Sequence, residues 1–241
     1  MRTPARIGQR LAEVLTPALL VSLPALESNE VKMRNLLRTT GVALRPHAKA
    51  HKSSMLGRWL LERGGTEVKG FCAQTVGEAE AMVNAGSTDV LLTNILFGPN
   101  LARLAGMAAA NPHATIGALV DSMPGVEALE LAASSAGARI TAWVEIDAGQ
   151  NRCGIMPSDP LVVEISQRVT SSPSLTLGGL HVYHGAIQHV RTAEARQAAV
   201  QAGPAAAARV SVDALVAAGL EKPLVTGGGT GTFMFEARGH F

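Results

Sequence analysis

The residue types best suited to chemistry in this sequence crowd into one short segment, RPHAKAHK at 45–52. Side chains of a strand alternate between two faces, so one face of this segment would carry Arg45, His47, Lys49 and His51. Both faces of a buried parallel strand are normally apolar. A row of cationic and titratable groups is unfavourable there unless an anionic group binds to it. We therefore predict that this row points inward, toward a binding site.

Lys49 is the candidate nucleophile of this row. A lysine removed from water among other cations, here Arg45 and Lys52, is favoured as the neutral amine and can attack a carbonyl. A Schiff base with an aldehyde requires this chemistry. The alternative is a surface lysine that lays its apolar stem along the protein and keeps its charge in water.

Two further predicted strands carry inward polar side chains near their C-terminal ends. Glu145 and Asp147 share one parity in the first of them, and His181 and Tyr183 share one parity in the second. Barrel enzymes hold their active sites at the C-terminal ends of their strands. A buried salt-bridge cluster without function is the alternative, although such clusters rarely stabilise a core.

A glycine-rich run, TGGGTGT at 226–232, follows the last predicted strand. Consecutive glycines let backbone N–H groups form a concave anion site, and the hydroxyls of Thr230 and Thr232 add donors. Barrels often bind phosphate in the loops after their last strands, although a merely flexible loop has the same composition. Together with an inward lysine, the run indicates a phosphorylated aldehyde cofactor, pyridoxal phosphate.

Metal binding by this chain is the weaker interpretation. His181, His184 and His189 are candidate ligands, but His181 and His184 have opposite parity and cannot converge from a straight strand. Cys72 and Cys153 are the only cysteines, with no zinc-site spacing and no disulfide framework. We assign no metal ligand within the chain and predict a reducing, cytoplasmic location.

Short β-rich runs alternate with helical runs from residue 42 onward, which indicates βα units with a parallel sheet. Seven such strands favour an α/β fold of the (β/α)8 TIM-barrel type over a doubly wound sheet, and no GxGxxG motif follows the first strand. The predicted strands are 42–49, 68–74, 89–94, 115–121, 140–147, 177–183 and 223–227. The predicted helices are 53–63, 76–85, 99–110, 124–136, 159–170 and 192–219.

The N-terminal part adds one predicted strand and one predicted helix. LLVSL at 19–23 has strand composition, and Pro24 then begins a helix that ends before Gly41. The sequence has no room for an eighth βα unit after 223–227. We expect either that the N-terminal strand closes the barrel or that the barrel is incomplete.

Composition excludes several classes of protein. Of 241 residues, 47% are hydrophobic and 17% charged, with a net charge of +2, so a disordered or collagen-like chain is excluded. No basic run occurs, and we expect no nucleic-acid partner. The apolar run 15–26 is interrupted by Pro17 and Pro24 and is too short to span a bilayer, so we expect no membrane partner.

The sequence resembles the D-threonine aldolase and 3-hydroxy-D-aspartate aldolase family, pyridoxal-phosphate enzymes that share the alanine-racemase barrel. The resemblance begins at residue 16, covers most of the chain and follows the order of the family's motifs. The matching stretches are RPHAKAHK at 45–52, FCAQTVGEAEAM at 71–82, VEIDAGQNRCG at 144–154, GLHVYHGAIQH at 179–189 and TGGGTGT at 226–232.

The resemblance implies a role for each matching residue. Lys49 would carry the cofactor as an internal aldimine, Arg152 would lie beside its ring, and Tyr183 would pack near it. A histidine is needed to take the proton of the substrate's β-hydroxyl if no metal-bound water does so, and His184 is our candidate. The other residues assigned to cofactor binding are His47, Gln74, Gly228, Gly229, Thr230 and Gly231.

The resemblance also implies the reaction. Family enzymes cleave D-3-hydroxy amino acids such as D-threonine to glycine and an aldehyde, assisted by a divalent metal, Mn or Mg. In the family the chain continues into a last barrel strand and a β-domain that holds the His and Asp metal ligands, whereas this sequence ends at Phe241. We expect residues 1–23 to belong to that β-domain, 24–241 to form an incomplete barrel, and aldolase activity to be a trace at most.

Three functions are compatible with these residues. The leading interpretation is an aldolase that acts on a small D-3-hydroxy amino acid. A homodimer of the chain is compatible with this interpretation. The first alternative is a dehydratase of D-serine or 3-hydroxy-D-aspartate, which shares the barrel and the lysine, although YHGAIQH and GGGTGT favour the aldolase branch. The second alternative is a barrel that binds pyridoxal phosphate without turnover.

Overall fold

Six parallel strands in consecutive order form the sheet of this protein. The structure is a computed structural model that describes residues 5–238. Each strand pairs with the next one along the chain, as expected for repeated βα units of a TIM-type barrel. The strands are β1 (Phe71–Ala73), β2 (Asp89–Ile95), β3 (Thr115–Val120), β4 (Ile140–Asp147), β5 (Leu175–Tyr183) and β6 (Val225–Gly227).

Helices connect these strands and begin where capping residues stand in the sequence. Ser53, Thr75, Ser122 and Thr192 each accept a backbone N–H of the first helical turn through the side-chain oxygen. The helices are α1 (Leu23–Thr40), α2 (Ser54–Gly64), α3 (Val76–Asn84), α4 (Pro99–Ala110), α5 (Met123–Ser135), α6 (Leu161–Thr170), α7 (Ala193–Val200), α8 (Ala206–Ala217) and α9 (Phe233–Glu236). None in the described part of the chain is long and apolar enough to cross a membrane.

The long helix predicted over 192–219 is divided in the structure. A π-helical turn, Gln201–Ala205, separates α7 from α8, and Pro204 lies inside it. Proline has no backbone N–H, so a regular helix cannot continue unchanged through this position. The helix predicted from Pro24 is confirmed as α1, with Pro24 in its first turn and Gly41 in the left-handed region at its end.

The apolar core lies mainly between the sheet and its helices, and a smaller cluster fills the inner face of the sheet. Leu91, Leu119 and Trp143 form this inner cluster. Gly178 provides room for the indole, because a Cβ there would lie 2.4 Å from Trp143 Cε2. On the inner face, the same parity as Trp143 continues to Glu145, so the sheet directs its polar residues to the end where the strands stop.

The strand predicted over 42–49 does not form. Only single β-bridges occur, from Leu44 to Val68 and from His47 to Cys72. Pro46 lies between them and lacks a backbone N–H, so it can only accept from Cys72 N–H, and a regular ladder is interrupted there. The predicted strand 68–74 is correspondingly reduced to β1.

The strand predicted over 19–23 is also wrong. Residues 19–22 have no strand or helix assignment, and α1 already begins at Leu23. The side chain of Leu19 is fully exposed. A strand requires a neighbour for its hydrogen bonds, and within residues 5–238 no strand pairs with this segment, so the sheet is not closed by it.

Candidate active site

The C-terminal ends of β4 and β5 bring four polar residues together, as the alternation of strand side chains predicts. Glu145 is paired in register with His181, and Asp147 with Tyr183. Glu145 and His181 are buried, whereas Asp147 and Tyr183 are half-buried at the strand ends. The site therefore has a buried ionisable floor and an accessible rim.

Glu145 is the buried charge of this floor. Its side chain is 2% exposed, and its Oε2 lies 2.5 Å from His181 Nδ1, outside the alignment of a hydrogen bond. The thiol of Cys153 donates to Oε1 at 3.4 Å, and Arg152 Nη2 lies 3.8 Å from the same oxygen. A buried carboxylate requires such neighbours, because the loss of water would otherwise be uncompensated.

Arg152 places its guanidinium over the ring of Tyr183, with 5.4 Å from Cζ to the ring centroid. Its side chain is 46% exposed, so the cation is held between the buried Glu145 and the open side of the site. An arginine in this arrangement presents free N–H donors to a ligand while its charge is balanced from below.

The loop that carries Arg152 is fixed by Asp147. Its Oδ1 accepts the backbone N–H groups of Gly149, Gln150 and Asn151 at 2.9, 3.0 and 3.1 Å. Three converging donors hold the carboxylate rigidly and allow Asn151 its positive φ of 52°.

His47 lies on the opposite side of the site and is neutral. Its Nδ1 accepts the backbone N–H of Lys49 at 3.3 Å, and its Nε2 lies 3.1 Å from Thr93 Oγ1. Thr93 Oγ1 donates to Ala73 O, so it accepts from Nε2–H, which assigns the tautomer. Burial first, and then the charge of Lys49, lowers the pKa of His47 to about 4.

Lys49 is exposed, which corrects the prediction of a desolvated lysine in a continuous inward row. It lies on a 3-10 turn, Ala48–Ala50, where the strand alternation ends. The neighbouring cations are engaged elsewhere: Arg45 Nε lies 2.5 Å from Asp89 Oδ1, and Lys52 Nζ lies 3.0 Å from Glu78 Oε1.

His51, the last residue of the predicted inward row, lies on the other side of this segment. Its ring meets Phe71 edge-on with 6.2 Å between centroids. Only His47 and Arg45 of the predicted row therefore keep inward contacts. Gln74 follows β1, with its backbone N–H bound to Glu78 Oε2 at 2.8 Å and an exposed side chain.

The glycine-rich run forms a tight loop between β6 and α9. Gly228 has φ of +87°, a conformation that favours glycine. The N–H of Gly229 donates to Thr232 Oγ1 at 3.2 Å and that of Gly231 to Gln188 Oε1 at 3.3 Å. An anion would therefore meet the amides of Gly228 and Thr230, or replace Gln188 at Gly231.

The hydroxyl of Thr232 is not a free donor, contrary to the sequence prediction. Thr232 is buried, and its Oγ1 donates to Glu236 Oε2 at 2.8 Å. Burial raises the pKa of the Glu236 carboxyl, partly offset by this hydrogen bond. Thr230, in contrast, is exposed and keeps its hydroxyl toward solvent or ligand.

The histidines after β5 lie in different surroundings. The ring of His184 lies beside Gly149 and Gly203, and its buried Nδ1 has no hydrogen-bond partner in the described part of the chain. His189 is exposed at the end of a 3-10 turn, Ala186–His189. Within residues 5–238, no group of three or more His, Cys, Asp or Glu residues is arranged to hold a metal.

Three residues of the site were not predicted. Thr93 is the one hydroxyl among the inward residues of β2, a signal that parity alone could have found. Gln188 lies inside the quoted motif YHGAIQH but received no role. Glu236 lies beyond the glycine run, and nothing in the sequence indicates that its carboxyl turns back to Gly228.

Six consecutive parallel strands with polar residues at their C-terminal ends and a glycine loop after β6 define an incomplete α/β barrel domain. Residues 21–241 match the family described as alanine racemase, N-terminal domain, and the chain belongs to that family. The predicted fold class and the resemblance stated above are thereby confirmed.

The chain is also similar to individual aldolases. It is 38% identical to 3-hydroxy-D-aspartate aldolase of Paracoccus denitrificans (strain Pd 1222), over 97% of this chain and 59% of that protein. It is 38% identical to D-threonine aldolase of Arthrobacter sp, over 97% of this chain and 60% of that protein. A crystal structure of D-threonine aldolase from Filomicrobium marinum superposes with a TM-score of 0.91 at 39% identity, covering 98% of this chain and 62% of that one. The chain thus spans about three fifths of the length of these relatives.

Proposed function

We propose that this chain is the cofactor-binding barrel of a pyridoxal-phosphate-dependent aldolase that cleaves D-3-hydroxy amino acids such as D-threonine to glycine and an aldehyde. The observation that carries the proposal is the arrangement around the strand ends. Lys49 lies next to a neutral His47 on one side, and Arg152 lies over Tyr183 on the other. The similarity to two aldolases at 38% identity supports the same reaction class.

The residues present fit the proposed cofactor. Lys49 would hold it covalently through an accessible amine, Arg152 and Tyr183 would face its ring, and the loop 228–231 would take its phosphate. His47 adjoins Lys49, and Gln74 follows β1 with an exposed side chain. The cofactor, when bound, supplies an electron sink for the electron pair released as the Cα–Cβ bond breaks.

The protein's own groups supply orientation and proton transfer. The charge of Arg152, balanced by the buried Glu145, holds its donors toward the ligand. His184 is our candidate for accepting the proton of the β-hydroxyl. Within residues 5–238, no group of three or more His, Cys, Asp or Glu residues is arranged to hold the Mn or Mg that the resemblance implies.

Covalent labelling at Lys49 tests the cofactor assignment. We expect borohydride reduction of the protein with bound pyridoxal phosphate to leave the label on Lys49, as located by peptide mapping. Lys52→Ala is the matched control, because Lys52 is three residues away and paired with Glu78. A label on Lys52 or Lys69, or one that survives Lys49→Ala, would show that the assignment is wrong.

The products of D-threonine identify the reaction. Incubation with the loaded protein should release glycine and acetaldehyde in equal amounts, even if turnover is slow. Release of ammonia and 2-oxobutanoate would instead identify a dehydratase. A labelled Lys49 without either pair of products would identify a cofactor-binding domain without turnover.

A further inference from the structure

Gln188 joins two parts of the site that the proposed function uses separately. It lies on the 3-10 turn Ala186–His189, immediately after β5. Its Nε2 donates to Tyr183 Oη at 2.8 Å, and its Oε1 accepts the Gly231 N–H at 3.3 Å. One carboxamide therefore connects the ring beneath Arg152 with the glycine loop.

The glycine loop is shaped around this side chain. A Cβ added to Gly229 would lie 2.2 Å from Gln188 Cδ, and one added to Gly231 would lie 2.6 Å from Gln188 O. The contact at Gly231 is with backbone and leaves no room for a side chain, whereas a side chain at Gly229 would displace the Gln188 carboxamide.

Both ends of the carboxamide are used with the correct polarity. The amide nitrogen can only donate and the carbonyl oxygen can only accept, so one side chain orients a phenol and a backbone N–H at once. The side chain is half-buried, which makes these two hydrogen bonds less exposed to competition from water. A glutamine in this position fixes the separation between the Tyr183 ring and the loop amides.

We propose that Gln188 is a positioning residue that couples Tyr183 to the loop 228–231, and so sets the distance between the ring-binding and phosphate-binding ends of the site. The effect on the distance between the two binding ends rests on the proposed function, whereas the coupling of Tyr183 to the loop does not. Gln188 touches no reacting atom in this role. Its effect is to keep the amides of Gly228 and Thr230 directed at the anion.

The coupling can be measured without any cofactor, because Tyr183 is the only tyrosine in the sequence. Tyrosine labelled with 13C at the phenol carbon gives one resonance, and the Gly231 amide reports the other end by hydrogen exchange. We expect Gln188→Leu to shift the Tyr183 resonance and to accelerate exchange at Gly231 by roughly tenfold, the loss of one neutral hydrogen bond. The matched control is Gln197→Leu, an exposed glutamine on α7, which should change neither signal.

Gln188→Glu is the conservative variant that separates positioning from packing. A carboxylate can still accept from Gly231 N–H, so exchange there should return toward the wild-type rate. The Tyr183 hydroxyl must now donate instead of accepting, so its resonance should move to a third position, distinct from those of the wild type and Gln188→Leu. Its negative charge should nevertheless weaken binding of inorganic phosphate far more than Gln197→Glu does. We expect Gln188→Leu to weaken phosphate binding roughly three- to tenfold.

The outcomes separate this inference from the proposed function. If Gln188→Leu changes only one of the two signals, or neither, Gln188 does not couple the ring to the loop and the inference is overturned. If both signals change but Gln188→Glu and Gln197→Glu affect phosphate binding equally, the coupling holds and the phosphate site of the proposed function is wrong.

Discussion

At the residue scale, His47 determines the electrostatic character of the lysine side of the site. Its neutral imidazole accepts from Lys49 N–H and donates to Thr93, so the ring is held in one tautomer. A charged imidazole would lose the acceptor at Nδ1 and would repel the ammonium of Lys49. The same burial that keeps His47 neutral therefore keeps the segment around Lys49 in place.

We expect the stability of the protein to fall as the pH drops through the range from about 6.5 to 4. The pKa of His47 is about 4 in the folded protein, below its ordinary value of 6.5, so the unfolded chain binds a proton first in this range. The contribution is fully present above pH 6.5 and is lost as the pH approaches 4. Urea unfolding at several pH values measures this change in the free energy of unfolding. An NMR titration of the His47 imidazole measures its pKa.

His47→Asn is the variant for this measurement. Asparagine retains an acceptor near the position of Nδ1 but does not titrate, so the variant should lose less stability than the wild type between pH 6.5 and 4. An imidazole resonance of His47 that titrates near pH 6.5 would contradict the assignment.

The alternation of side chains correctly predicted which way residues on regular strands point, but not the positions of residues beyond the strands. Glu145 and His181 face each other as expected because the pairing of β4 with β5 is in regular register from Trp143 and Gly179 onward. Lys49 and His51 depart from the expectation because the chain leaves the strand conformation at Ala48. The partners of Gln188 are set by a loop that returns from β6, and periodicity carries no information about such a contact.

At the element scale, the approach of β6 to β5 places the glycine loop. A Cβ on Gly227 would lie 1.9 Å from Val182 O, and a Cβ on Gly179 would lie 2.1 Å from Leu224 O. Both glycines therefore permit a backbone contact that no other residue allows. Because the loop begins at the end of β6, this contact also positions Gly228.

We expect Gly227→Ala to destabilise the protein by about 1–3 kcal/mol, as overpacking against backbone does. Gly106→Ala is the matched control, because Gly106 lies inside α4 with nothing within 4 Å of its Cβ position. Gly106→Ala should raise the free energy of unfolding by about 0.5–1 kcal/mol. Urea unfolding compares the two variants, and equal effects would mean that β6 can separate from β5 without loss.

The elements that sequence reasoning predicted correctly are those with local signals. The helices have capping residues at their starts and apolar faces, and the central strands are apolar on both faces. The segment 42–49 was misassigned because Pro46 breaks the ladder, and 19–23 because strand composition does not reveal whether a partner exists. Pairing is a property of the sheet and not of the segment.

At the scale of the whole molecule, exposed apolar side chains are distributed unevenly over the surface of the described chain. Its net charge is only +2, so long-range repulsion between copies is weak. The segment before α1 exposes large apolar side chains along its length. These are Ile7, Leu11, Leu15, Leu19, Leu20 and Val21.

We expect this segment to drive concentration-dependent association of the 241-residue chain. Exposed apolar patches of this kind bury themselves against another surface when one is available. Replacing Leu11, Leu15 and Leu19 with serine should lower the weight-average mass in sedimentation experiments. Leu131→Ser is the control, since Leu131 is an exposed leucine on α5, outside the segment. If the triple variant associates as strongly as the wild type, the contact lies elsewhere. The edge of β6 that no strand within residues 5–238 covers is then the next surface to test, because an open strand edge offers its own hydrogen-bonding groups to a second chain.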